Sequence, residues 1–141
     1  MQRTSSTRRP TRSEHRLGAV TVEFALVAPM VFFIVFAAIE FARLNMLVNS
    51  MENACYEAAR RGIIPGATVA NVEAEANQIL QAVGAVNSTV TVTPAVITNQ
   101  TPEITVRISI PLNDNAWVTP NFTKNLVVGR SCTLTREITP F

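Results

Sequence analysis

Residues 18–40 read GAVTVEFALVAPMVFFIVFAAIE. From Ala19 to Ile39 this stretch holds one charge, Glu23, and Glu40 ends it. As a helix it rises about 31 Å at 1.5 Å per residue, enough to cross a bilayer core of about 30 Å. The charge-free part, Phe24–Ile39, covers about 24 Å by the same rise, so Glu23 and Glu40 fall near opposite interfaces. A carboxylate inside the apolar run costs a few kcal/mol on insertion scales, and such residues are retained where something uses them. Glu23 stands five positions after Gly18, the last residue of an arginine-rich head. Pro29 interrupts the run, removing one backbone donor, and predicts a bend.

Charge is distributed in a way that the whole-chain net of +2 conceals. Residues 1–18 hold Arg3, Arg8, Arg9, Arg12 and Arg16 against Glu14, so the rest of the chain is acidic overall. No basic patch for nucleic acid remains beyond the head. Five arginines before the span, against Arg43 after it, place the N-terminus in the cytoplasm by the positive-inside rule. A secretory signal has its small-residue cleavage site after the apolar core. Here Gly18 precedes the core, so a cut at Gly18–Ala19 would leave the helix on the product. An uncleaved signal anchor also satisfies the charges and the helix.

Helical spacing continues past the span. Phe41, Leu44, Val48, Met51, Cys55 and Ala58 recur at steps of three or four, and Glu40 and Arg43 form an i, i+3 pair at the exit. Gly62 and then Pro65-Gly66 stop the pattern. One rod from about Ala19 to Arg61 is therefore predicted. A second helix is expected after Thr68 as N-cap, with Val69, Val72, Ala76, Ile79, Leu80 and Val83 inward and Gly84 at its end. Strands follow. Val90 and Val92 mark the first, and Ile104, Val106, Ile108 and Ile110 alternate with polar residues in the second. A third runs from about Leu126 to Glu137 with Val128, Cys132 and Leu134 on one parity. With 141 residues, the chain holds one small domain beyond the anchor. The fold class is α+β: a long N-terminal transmembrane helix continuing into a soluble domain with a second short helix and a small antiparallel three-stranded sheet. The boundaries are a basic leader 1–18, a span 19–40, a continuation of the helix 41–62 and an α+β part 63–141.

Histidine is missing from the chain beyond the leader. Its one histidine, His15, lies in the head, so no Ser-His-Asp or Cys-His set can be built after cleavage. An enzyme, a cofactor, a small-molecule substrate and a metal centre are not expected. Asn113-Asp114-Asn115 resembles the start of a calcium loop, but lacks glycine at the sixth position and has Lys124 where the acid should stand. A turn is expected there. Trp117 and Phe122 fall in a Pro-broken loop, where folding back on the core is the expectation and contact with a partner or surface the alternative. Cys55 and Cys132 lie on inward-facing positions of helix and strand. A bridge would stabilise the domain by about 2–4 kcal/mol; two buried free thiols are the alternative.

Three segments carry a family resemblance. They are Gly18-Ala19 with Val22-Glu23-Phe24-Ala25-Leu26, the exit Ile39-Glu40-Phe41-Ala42-Arg43, and Asn53-Ala54-Cys55-Tyr56-Glu57-Ala58-Ala59-Arg60. Together they resemble the TadE-like family of pilin-like proteins in tight-adherence (Flp) pilus systems. The family usually has glycine where Ala42 stands. The resemblance implies a minor pilin or pseudopilin, cut by a prepilin peptidase between Gly18 and Ala19, with Glu23 and Phe24 in the processing and assembly motif and Glu40 and Arg43 in the exit motif. It further implies other pilin-like subunits and inner-membrane pilus assembly proteins as partners. The location implied is single-pass in the bacterial inner membrane, with the C-terminal domain periplasmic, at the base of a pilus or within it. The reading from another class is an uncleaved, signal-anchored envelope scaffold or binding domain of a secretion complex. The two differ in the mature N-terminus.

Overall fold

The computed structural model describes residues 12–117 and 122–137, without the side chains of 12–17. Arg3, Arg8 and Arg9 of the basic head therefore lie outside the described residues. Helix α1 spans Arg12–Gly62, α2 Val69–Ala82, and strands β1 Thr89–Thr93, β2 Glu103–Pro111 and β3 Val127–Thr135. The α+β layout matches the sequence reading. Helix α1 starts at Arg12 instead of about Ala19, because nothing between Ser13 and Leu17 breaks a helix and Glu14 suits its first turn. Pro29 lies inside it.

The chain divides into two units, Met1–Phe36 and Ala37–Phe141. In the first, the large apolar side chains between Val20 and Phe36 are exposed, Leu26 at 74%. The helix that carries them is long and apolar enough to cross a membrane.

The second unit is built around β2. Ile104, Val106, Ile108 and Ile110 are fully buried, and the strand lies between its antiparallel neighbours in the order β1-β2-β3. Val92 pairs with Val106, and Val106 with Cys132. Alternation with a period of two sends Thr105, Arg107 and Ser109 to the other face, where Thr105 and Thr133 share a 2.8 Å hydroxyl contact. Leu47, Met51, Ala54, Cys55, Ala58 and Ala59 of α1 join Val72, Ala76 and Leu80 of α2 and these β2 side chains in one core. Each large apolar side chain buried this way contributes about 1.5–3 kcal/mol. The buried stripe of α1 differs from the predicted one. Leu47 and Ala54 are inside, Val48 is half-buried and Phe41 is 48% exposed. At 100° per residue, Phe41 and Val48 fall on the flank of the stripe.

Thr68 caps α2 as expected, its Oγ1 accepting from Asn71 N at 3.3 Å. The far end of α1 is closed by packing and by one arginine. A Cβ on Gly62 would stand 3.0 Å from Ile104 Cδ1 and 3.1 Å from Val72 Cγ2, so glycine lets the last turn approach β2 and α2. Just beyond β3, Arg136 donates from Nη2 to Gly62 O (2.9 Å), from Nε to Ile63 O (2.8 Å) and from Nη1 to Thr98 O (2.7 Å). A cation on carbonyls left over at a helix C-terminus is favoured by both hydrogen bonding and the helix dipole.

Candidate functional site

Gly18 and Glu23 are both exposed on α1. A Cβ built on Gly18 would meet nothing within 4 Å. Glycine inside a helix costs about 1 kcal/mol relative to alanine. Among the described residues, neither packing nor backbone conformation accounts for it here. Ala19 and Phe24 are exposed beside them.

Glu40 and Arg43 have a different setting. The sequence paired them with each other; the structure places both in tertiary contacts far along the chain. Glu40 is 8% exposed, and its Oε1 accepts from Phe122 N (3.0 Å), Thr123 N (2.6 Å) and Thr123 Oγ1 (2.7 Å). Arg43 is 4% exposed and donates to three backbone carbonyls: Nε to Asn115 at 2.9 Å, Nη1 to Val83 at 2.8 Å and Nη2 to Gly84 at 3.1 Å. Val83 and Gly84 terminate α2, so Arg43 caps that helix from the side of α1. Burial draws its pKa below the ordinary arginine value, yet a guanidinium remains protonated in proteins. A signal for this burial exists in the sequence. Positions 40, 43, 47, 51, 54 and 58 step by three or four, which puts both charges on the helix face of Leu47, Met51, Ala54 and Ala58.

The Asn113-Asp114-Asn115 turn joins this site. Asn115 is 3% exposed; its Nδ2 donates to Val86 O and Pro111 O, and its Oδ1 accepts from Val86 N. Asn113 bonds Asn125, and Asp114 Oδ2 accepts from Asn87. The three side chains tie loops together, as a turn would. Trp117 and Phe122, expected to fold back on the core, are 62% and 45% exposed. Trp117 lies under the Arg43 guanidinium, 5.1 Å from Cζ to the ring centroid, and Phe122 meets Phe41 at 6.0 Å. The loop is anchored through the Phe122 and Thr123 backbone and the carbonyl of Asn115. Among the described residues these anchoring contacts are polar, and the two rings remain outside.

Cys55 and Cys132 are free thiols. Cys55 is fully buried and donates to Val106 O at 3.0 Å, while Cys132, paired in register with Val106, is half-buried alongside it. Burial, reinforced by Cys132, pushes the Cys55 thiol from 9.0 up to about 12. The folded state thus holds this proton more tightly than the unfolded state. Its contribution to stability is fully present below pH 9.0 and is lost as the pH rises toward 12. Urea unfolding of reduced protein at stepped pH should show this loss, and Cys55→Ala should flatten that part of the profile. Parallel profiles would remove the thiol from the account.

Residues 18–60 match the model of the family described as TadE-like protein. The matched segment runs from Gly18 through the Glu40–Arg43 turn to Arg60. No curated protein and no solved structure matches the chain.

Proposed function

We propose that this chain is a minor pilin or pseudopilin-like component of tight-adherence pilus assembly. In this reading residues 19–40 span the inner membrane, the leader 1–18 is removed by a prepilin peptidase, and residues 41–141 lie in the periplasm. The observation that carries it is the coincidence of the TadE-like match with an apolar helix bare on its surface, opened by Gly18 and Glu23. A glycine that no internal contact requires is accounted for by an outside one. A peptidase must admit the residue before the bond it cuts, and glycine lets the backbones approach.

Cleavage creates a new amine at Ala19, a cation near Glu23 in surroundings of low dielectric. Pairing between the carboxylate of one subunit and the amine of a neighbour offsets part of the desolvation of both, and fixes axial register between them. The role is structural: the chain supplies an anchor and a folded domain to an assembly, not a reaction centre. Mass spectrometry of protein extracted from membranes tests the reading. The mature chain should begin at Ala19. A chain beginning near Met1 would replace it with an uncleaved, signal-anchored scaffold.

A further inference from the structure

The large apolar side chains exposed in the second unit are unevenly placed. Nine are 45% exposed or more: Phe41, Val86, Trp117, Phe122, Leu126 and Val127, and apart from these Tyr56, Ile64 and Val96. The first six belong to the Glu40–Arg43 turn or to segments bonded to it, and the other three lie singly elsewhere. Val86 is held by Asn115, Phe122 by Glu40, and Leu126 O accepts from Leu112 N at 2.9 Å. At the other end of α1, Ile64 stands singly among the charged side chains of Glu57, Arg60, Arg61 and Glu75. The six form an apolar collar at the Glu40–Arg43 turn, which follows the apolar segment along the chain, Phe41 coming five residues after Phe36, about 7.5 Å along a helix.

We propose that this collar docks on the membrane the helix enters, with Trp117 and Phe122 in the headgroup layer. The proposal rests on the reading of 19–40 as a membrane span. Continuity with that span selects lipid as the occupant. Composition agrees: aromatic side chains with an apolar body and a polar edge concentrate at membrane–water interfaces. Lys124, exposed between Phe122 and Leu126, suits the anionic headgroups of a bilayer surface. The buried Glu40 and Arg43 act as positioning residues, holding the loop beside the last turn of the span through contacts that leave the rings exposed. The domain would then rest on the bilayer at a fixed face.

Trp117 is the only tryptophan of the chain, so the unmodified protein carries its own reporter. The full chain is reconstituted into vesicles of phosphatidylcholine and phosphatidylglycerol, some brominated at a shallow and some at a deep acyl position. Trp117 emission should be quenched about twofold more by the shallow bromines than by the deep ones, and be shielded from aqueous iodide, as for an interfacial indole. Moving the reporter, with Phe122→Trp in a Trp117→Phe background, should give the same order. Emission open to iodide and insensitive to brominated lipid would put the loop in solution and overturn the proposal. Shielding from iodide without lipid quenching would assign the collar to a protein neighbour and overturn it equally. Failure of the chain to float with the vesicles would instead sink the membrane-span reading beneath it.

Discussion

Alanine at Arg43 is expected to remove much of the stability of the second unit. The substitution leaves the carbonyls of Val83, Gly84 and Asn115 without their donor, the Asn115 contact buried and the other two part-buried. It also leaves Trp117 without the cation above its ring. Leaving a buried acceptor unsatisfied costs about 1–3 kcal/mol, against about 5–15 kcal/mol for the whole of an ordinary domain. Arg43→Lys should recover only part of it, because one ammonium cannot reach three carbonyls with the geometry of a planar fork. Amide exchange at β2, in protein held in detergent micelles, reads the effect where the core is tightest. Protection within about 1 kcal/mol of the wild type in the alanine variant would mean that water replaces the guanidinium without difficulty.

The second large effect divides the start of the helix into two roles, and it rests on the proposed function. A large residue in place of Gly18 should leave full-length precursor, since the fold leaves open space there and the only steric limit is the peptidase. Glu23→Gln should be processed normally and fold normally, because the side chain is exposed and glutamine has nearly the same helix propensity. Surface pili should nonetheless be lost, as the Ala19 amine then has no carboxylate to meet. An immunoblot for size beside a filament count distinguishes the cases. Normal piliation with Glu23→Gln would reduce the acid to a tolerated interfacial charge.

Much of this molecule is legible in its sequence, for a reason that differs by segment. The strand at 103–111 is visible because Ile104, Val106, Ile108 and Ile110 alternate without exception, and one buried face demands that pattern. Helix α2 is visible because Thr68 and Gly84 mark its ends. The inner stripe of α1 is less so. Alanine at 54, 58 and 59 carries little hydrophobic signal, yet small side chains are what permit close packing on the sheet. The partners of Glu40 and Arg43 are not legible at all. They are backbone groups at 83–84, 115 and 122–123, which any residue type supplies equally well. Only the placement of two charges on a buried helix face hints that the partners exist.

Arg136 gives the fold a direction in time. The carbonyls it closes belong to Gly62 and Ile63, made more than seventy residues earlier in the order of synthesis. Arg43 likewise waits for residues 83, 84 and 115, and Glu40 for residues 122 and 123. The C-terminal end of α1 thus waits for residue 136 before its carbonyls are satisfied. A chain whose leading helix is committed early and whose clasp arrives at residue 136 is put together as a latch. The turns at 40–43 and 62–63 stay open until those later residues have come through.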